Sequence, residues 1–189
     1  GDRGWRGVYH GVALYNRALS ASQIADHSAA GTPKHRDGLQ VLYRFDEGEG
    51  AVIRDVSGLK PALDLIIDDS DAVAWREDGL EARQPVLIAT RRPAERLAAA
   101  VHTRNALTVE AWITPAAAIQ TGPARIVTLS RDHGNRNFTL GQEERAYQMR
   151  LRTTATSANG LPAVQVGGNA EASVAALRSL DRERAAIFV

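Results

Sequence analysis

Cysteine is absent from the 189 residues, which excludes thiol catalysis, zinc–thiolate sites and redox switching together. The compartment stays open, because a chain of this length buries a core without disulfides or a structural zinc. No apolar run approaches the ~18 residues of a membrane span, and no signal peptide is visible. A large charge of either sign is also missing. The formal net charge is +1, so overall charge gives nucleic-acid binding no support. Lysine is scarce: all but two of the 23 basic residues are arginine, the exceptions being Lys34 and Lys60. The arginines are spread along the chain, which reads as codon preference and not as a phosphate-binding tract. The chain opens at Gly1 and stops at Ile187-Phe188-Val189, which reads as mid-strand. The expectation is a piece of a longer polypeptide, with neighbouring domains elsewhere.

Catalytic signatures are equally sparse. There is no H-E-x-x-H, no G-x-S-x-G and no G-x-x-x-x-G-K. His10, His27, His35, His102 and His133 show no ligand spacing, and Gly48-x-Gly50 lacks a third glycine and a following helix. Asn137-Phe138-Thr139 matches a glycosylation sequon but falls in an expected strand. The chain therefore reads as non-enzymatic.

What is present is strand pattern. Residues 5–17 suit a strand, with Val8, His10, Val12 and Leu14 alternating against Tyr9, Gly11, Ala13 and Tyr15. Ser20 and Gln23 make a capping box, and Gly31 followed by Pro33 stops the helix, so 21–29 is helical. Residues 31–38 have linker composition. From Leu39 the pattern resumes: Leu39, Val41, Tyr43 and Phe45 alternate with Gln40, Leu42 and Arg44. Residues 62–67, 75–83 and 86–90 read as short strands. Residues 94–104 form the second helix, with Pro93 suited to its first position. The clearest strands are 107–113, 124–130, 137–142 and 146–153. A long loop follows Thr154, 173–178 stay unassigned, and 184–189 read as a last strand. Many short strands with few helices predict a mainly β, antiparallel two-sheet sandwich or jelly roll.

Several segments carry a resemblance. YNRALSASQIADHSAAG at 15–31 resembles the end of a bacterial laminin-G-like domain of the concanavalin A-like lectin/glucanase superfamily. LQVLYRFDEGEGAVIRDVSG at 39–58 resembles its start. LTVEAWITP at 107–115 is similar to its central strand, and ARIVTLSRDHGNRNFTLGQ at 124–142 to the pair that follows. Together they cover roughly two-thirds of the chain, and the family's last strand comes first. Either residues 1–31 are the tail of a preceding tandem domain, or they dock on a sandwich at 39–189 and close its sheet. The resemblance implies an extracellular, periplasmic or cell-surface protein.

Candidate site residues follow from strand faces. On 107–113, Leu107, Val109, Ala111 and Ile113 face the core, leaving Thr108, Glu110 and Trp112 on the other side. Phe138 and Leu140 point inward, Asn137 and Thr139 outward, and Gln148, Arg150 and Arg152 form the polar set of the next strand. Glu110, Trp112, Thr139, Arg150 and Arg152 together would resemble a lectin's concave face, where an aromatic platform and planar hydrogen-bonding groups hold a sugar. The competing reading is a solvated or covered face with a Glu110–Arg pair. Asp46, Asp55 and Ser57 could supply oxygens to Ca²⁺, which takes ~6–8, but the spacing matches no dedicated calcium loop and turn chemistry alone is the favoured reading. Asp68, Asp69 and Asp71 read as a solvated loop. Glucanases of the resembled superfamily use a strand bearing E-x-D-x-x-E, and Glu77-Asp78 with Glu81 has the wrong spacing. The first functional expectation is a non-catalytic carbohydrate- or glycoprotein-binding module. A protein–protein interaction module without a sugar site and a glycoside hydrolase are the alternatives.

Overall fold

The structure, a computed structural model, describes residues 4–132, 134–166 and 186–188. Among the described residues strand takes 41% against 14% for helix, which makes the fold mainly β. In chain order the strands are β1 (Gly7–Tyr15), β2 (Leu39–Tyr43), β3 (Val52–Ile53), β4 (Leu65–Ile67), β5 (Val73–Arg76), β6 (Gly79–Ala82) and β7 (Ile88–Thr90). They continue with β8 (Thr108–Pro115), β9 (Gln120–Ser130), β10 (Arg136–Glu144), β11 (Ala146–Leu151), β12 (Val164–Val166) and β13 (Ala186–Phe188). The α-helices among the described residues are α1 (Ala21–Ala30) and α2 (Glu95–Arg104).

The strands form two antiparallel sheets. One runs β12-β11-β10-β9-β13-β7-β4-β3. The other has five strands built around β1. Val12 to Tyr15 pair with β2, Gly7 to Tyr9 pair with β6, and β8 pairs along the whole length from Gly7 to Tyr15. Since a strand has two edges, β2 and β6 share one and β8 takes the other. Residues 4–31 thus supply a strand that is enclosed on both sides by later segments.

The sheets pack face to face through one apolar cluster. Val12, Leu14, Val41, Tyr43 and Leu80 come from the five-stranded sheet, and Leu65, Ile126, Val127, Leu129 and Phe138 from the other. Each fully buried side chain of this size contributes about 1.5–3 kcal/mol against exposure. Buried polar groups are paired across the layer: the Tyr9 hydroxyl donates to the Ile126 carbonyl at 3.2 Å. Trp5 Nε1–H donates to Gln142 Oε1 at 3.1 Å, and Gln120 Nε2–H donates to the same oxygen and to the Arg6 carbonyl.

Strict alternation fails at two places, for one reason. It groups Val8 with Val12 and Leu14, whereas Tyr9 joins them in the core. The register of β1 against β8 slips between Tyr9 and Gly11, a bulge that inserts one residue and reverses the phase. A second slip against β2, between Leu14 and Tyr15, leaves Leu39 with Leu42 on the outer side while Val41 and Tyr43 face inward. Elsewhere the expected strands shorten or split. Residues 75–83 belong to a hairpin, β5–β6, turning at Glu77-Asp78. The loop after Thr154 holds β12. Residues 173–178 lie outside the described residues.

Both helices stand close to their expected positions. Ser20 accepts from the Gln23 N–H while the Gln23 side chain accepts from the Ser20 N–H, and Gly31 ends α1 with φ 62°. In α2 the cap position is Ala94, so Pro93 precedes the helix instead of opening it. Leu97, Ala98 and Val101 bury the inner face of α2.

Candidate functional site

Glu110 and Trp112 share the outer face of β8, opposite Val109, Ala111 and Ile113, which pack on the main core. That face is roofed by α1. Trp112 and Ile24 pack against a second apolar cluster of Ala13, Tyr15, Leu19, Leu39 and Leu42. His27, fully buried on α1, places Nδ1 3.0 Å from both Glu110 oxygens, and its Nε2 accepts the His35 N–H at 3.0 Å. The acceptor at Nε2 fixes the proton on Nδ1, so the imidazole donates to the carboxylate. Burial raises the Glu110 carboxyl above its ordinary range, offset in part by the bonds from His27 and Tyr15. The Tyr15 hydroxyl also reaches the His35 carbonyl at 3.2 Å. Glu110 therefore pairs with a histidine that fastens helix to sheet, and the indole of Trp112 is packing.

Thr139, Arg150 and Arg152 belong to the other sheet. The register aligns them: Thr139 stands between Thr128 of β9 and Arg150 of β11, and Gly141 stands between Arg125 and Gln148. Phe138, Leu140, Tyr147, Met149 and Leu151 pack on the core, so alternation turns Thr139, Gly141, Gln148 and Arg150 outward. Arg136 joins this outer row opposite Ser130, past a register slip at Asn137. Arg152 continues the β11 line, its N–H donating to the Asn137 carbonyl at 2.9 Å. Thr139 is 1% exposed and its hydroxyl lies 2.6 Å from that of Thr128, which donates to the Phe138 carbonyl. It is a short floor residue between longer side chains. The five residues expected as one site thus divide between two sheets, Glu110 and Trp112 on one, Thr139, Arg150 and Arg152 on the other.

Arg125 and Arg136 escaped the sequence reading, because bulges on β9 and β10 hide their alternation. Arg136 is pushed down to about 10 by burial and by the nearby charges of Arg125 and Arg150. Arg125 is lowered by burial and by Arg150. The three guanidinium groups therefore lie within electrostatic reach of one another. Arg150 Nε–H donates to Gln148 Oε1 at 3.0 Å, and the Gln148 amide donates to Glu143.

Comparison with protein-family models, curated proteins and solved structures finds no match. The chemistry rests on the side chains themselves.

Of the residues considered for calcium, Asp55 is fully enclosed. Its Oδ1 accepts the Leu42 and Ser57 N–H groups, and its Oδ2 accepts the Leu63 N–H and Arg96 Nη2 at 3.0 Å. Four donors occupy the lone pairs that a cation would need. Ser57 Oγ accepts the Leu59 N–H, and Asp46 is exposed. Among the described residues no group of three or more His, Asp or Glu side chains is disposed to hold a metal ion. Asp69 caps a short turn through the Asp71 N–H, and Asp68 accepts the Leu87 N–H. Glu81 lies between Arg76 and Arg83, which hold its carboxyl below the usual range, the wrong direction for a general acid. Asn137 of the sequon is 2% exposed, so its amide is inaccessible to a glycan.

Proposed function

We propose that the chain is a non-catalytic binding module of laminin-G-like, jelly-roll type, part of a larger exported or surface protein, and that it takes a glycan or the glycan of a glycoprotein. The binding surface is the outer face of the eight-stranded sheet. The observation that carries this reading is a row of partly exposed arginines on that face. The face with Glu110 and Trp112 is covered by α1, while β9, β10 and β11 bring Arg125, Arg150 and Arg152, each partly exposed, onto one pleated surface floored by Thr128 and Thr139. Planar guanidinium forks over a rigid sheet suit oriented oxygen acceptors.

The test is an immobilised-glycan panel probed with the wild type, Arg150→Glu and an exposed control on the other side, Arg44→Glu. Binding lost in the first variant and kept in the second supports the face. Binding unaffected by Arg150→Glu, or no glycan bound, overturns it.

A second reading, protein interaction by strand addition, draws on β12. It ends the described sheet and carries Val164 at 66% exposure. An exposed apolar residue on an edge strand suits a partner strand. Crosslinking localised to β12 and abolished by Val164→Lys would favour it.

A further inference from the structure

We infer that the free edge of β8 is a docking site for an extended segment of another protein, one with apolar side chains at alternate positions and a basic residue facing Glu110. It stands apart from the glycan reading, which concerns the other sheet. The first support is an unmatched edge. The sheets have five strands against eight. Among the described residues β8 pairs with β1 along one edge and with no other strand. The outer edge of β2, by contrast, is met by the Val56 N–H, which donates to the Leu42 carbonyl, and by Asp55, which accepts the Leu42 N–H. An antiparallel strand turns about half its N–H and C=O groups to each side, so β8 carries a row of these groups without a partner strand among the described residues.

The second support is that nothing blunts this edge. Sheet edges are commonly kept short, twisted away by a bulge, or marked with lysine or proline. The strands at the other described sheet ends are short, with two residues in β3, three in β12 and four in β5. β8 has eight, holds no lysine, and reaches its one proline at the last position, Pro115. The extra residue in its ladder with β1 is His10, on β1, so β8 itself stays regular. Its inner side is also incompletely closed. Val12, Leu14, Val41 and Tyr43 of the same sheet are 0% exposed, whereas Val109, Ala111 and Ile113 pack on that core and keep part of their surface. Alternate side chains of an added strand would cover them.

The third support is charge. Glu110 is the one ionisable residue of β8. Its carboxylate is bonded by His27, whose proton lies on Nδ1, and by the Tyr15 hydroxyl, both neutral donors. No arginine or lysine pairs with it among the described residues, and its side chain keeps 12% exposure. With α1 above it and β1 beside it, the approach left to a cation is from the free edge. Opposite charges that face one another across two strands stabilise the pairing, and a basic residue on the added strand supplies the missing one. A second copy of β8 supplies none, since it brings only another Glu110.

The experiment titrates the whole chain into the fluorescent peptide KTVRVTVTK, follows anisotropy, and maps amide hydrogen exchange with and without the unlabelled peptide. Expected are saturable binding, slowed exchange in Thr108–Pro115, and an affinity at least about fivefold weaker for KTVDVTVTK. A docked strand uses one of its edges. N-methylation of the valines and N-methylation of the residues between them should therefore differ, one set abolishing binding and the other leaving it. Glu110→Gln, which keeps an acceptor for His27, should erase the preference for arginine over aspartate. Circular dichroism checks its fold, and if it does not fold, the two peptides and the two methylated sets decide the matter on the wild type. Binding of no peptide, equal affinity of the wild type for the arginine and aspartate forms, equal effects of the two methylated sets, or protection confined to β12 overturns the inference. Self-association through Thr108–Pro115 that the peptide does not dissociate overturns it in favour of a second copy.

Discussion

At the scale of single residues, Asp55 shows how a carboxylate that reads as a cation ligand becomes a fastening point. Its side chain is fully buried and receives three backbone N–H groups and the Arg96 guanidinium, joining β2, the loop before β4 and α2. Removing it takes the acceptor from four part-buried donors, although the Arg96 guanidinium keeps the Pro61 and Gln40 carbonyls. Asp55→Ala should therefore cost about 3–5 kcal/mol, read from urea denaturation, and adding millimolar calcium to the wild type should leave Tm unchanged. Trp112 makes a parallel case. Trp112→Ala should destabilise by about 2 kcal/mol through lost packing while leaving glycan binding as it was, a separation that unfolding and binding measured on one sample will show. Both residues were visible in the sequence as special, and both were assigned to ligands, because sequence shows a side chain's chemistry without the neighbours that consume it. Four of Asp55's partners lie between two and 41 positions away, at no motif spacing.

At the scale of elements, α1 was legible in full. Ser20, Gln23 and Gly31 carry local instructions that need no tertiary partner. The strands were legible as strands, with Phe138, Val109 and Ile113 correctly turned inward, whereas the β1 face was partly misread. A bulge has no sequence signature in a run such as Tyr9-His10-Gly11, and one inserted residue exchanges the faces. Arg125 and Arg136 were lost for the same reason. What no local pattern contains is that α1 lies over Glu110. That contact has a titration signature. The folded chain binds the Glu110 proton more tightly than the unfolded one, because burial raises its carboxyl. Its contribution is complete below the ordinary Glu range and is lost as pH rises through the folded value. Glu110→Gln removes this slope while keeping an acceptor for His27, so the variant should gain on the wild type between about pH 4 and 7 in chemical denaturation followed across pH. A constant difference between the two would mean that Glu110 does not titrate in that interval.

At the scale of the whole molecule, β1 ties the early residues to the rest. Its edges are taken by β2, β6 and β8, and Trp5 is anchored to Gln142 on the far sheet. Deleting residues 1–31 would remove the strand that β2, β6 and β8 pair with, breaking three ladders, and would uncover the faces of Trp112 and Leu42. The truncated chain is expected to lose cooperative melting and to associate, as size-exclusion chromatography and thermal unfolding will report. A monomer with the wild-type Tm would show the segment to be dispensable.

The enclosure of β1 also sets a timetable for synthesis. The strand emerges from the ribosome before any of its partners, and its longest ladder, to Thr108–Pro115, waits for about a hundred further residues, roughly 5–20 s at ordinary elongation rates. During that interval Tyr9, Val12 and Leu14 have only β2 and β6 to pair with, on one edge. Pairings so distant along the chain slow folding, so a nascent chain stalled before Thr108 should engage holding chaperones through its first strand, and release should coincide with the arrival of β8.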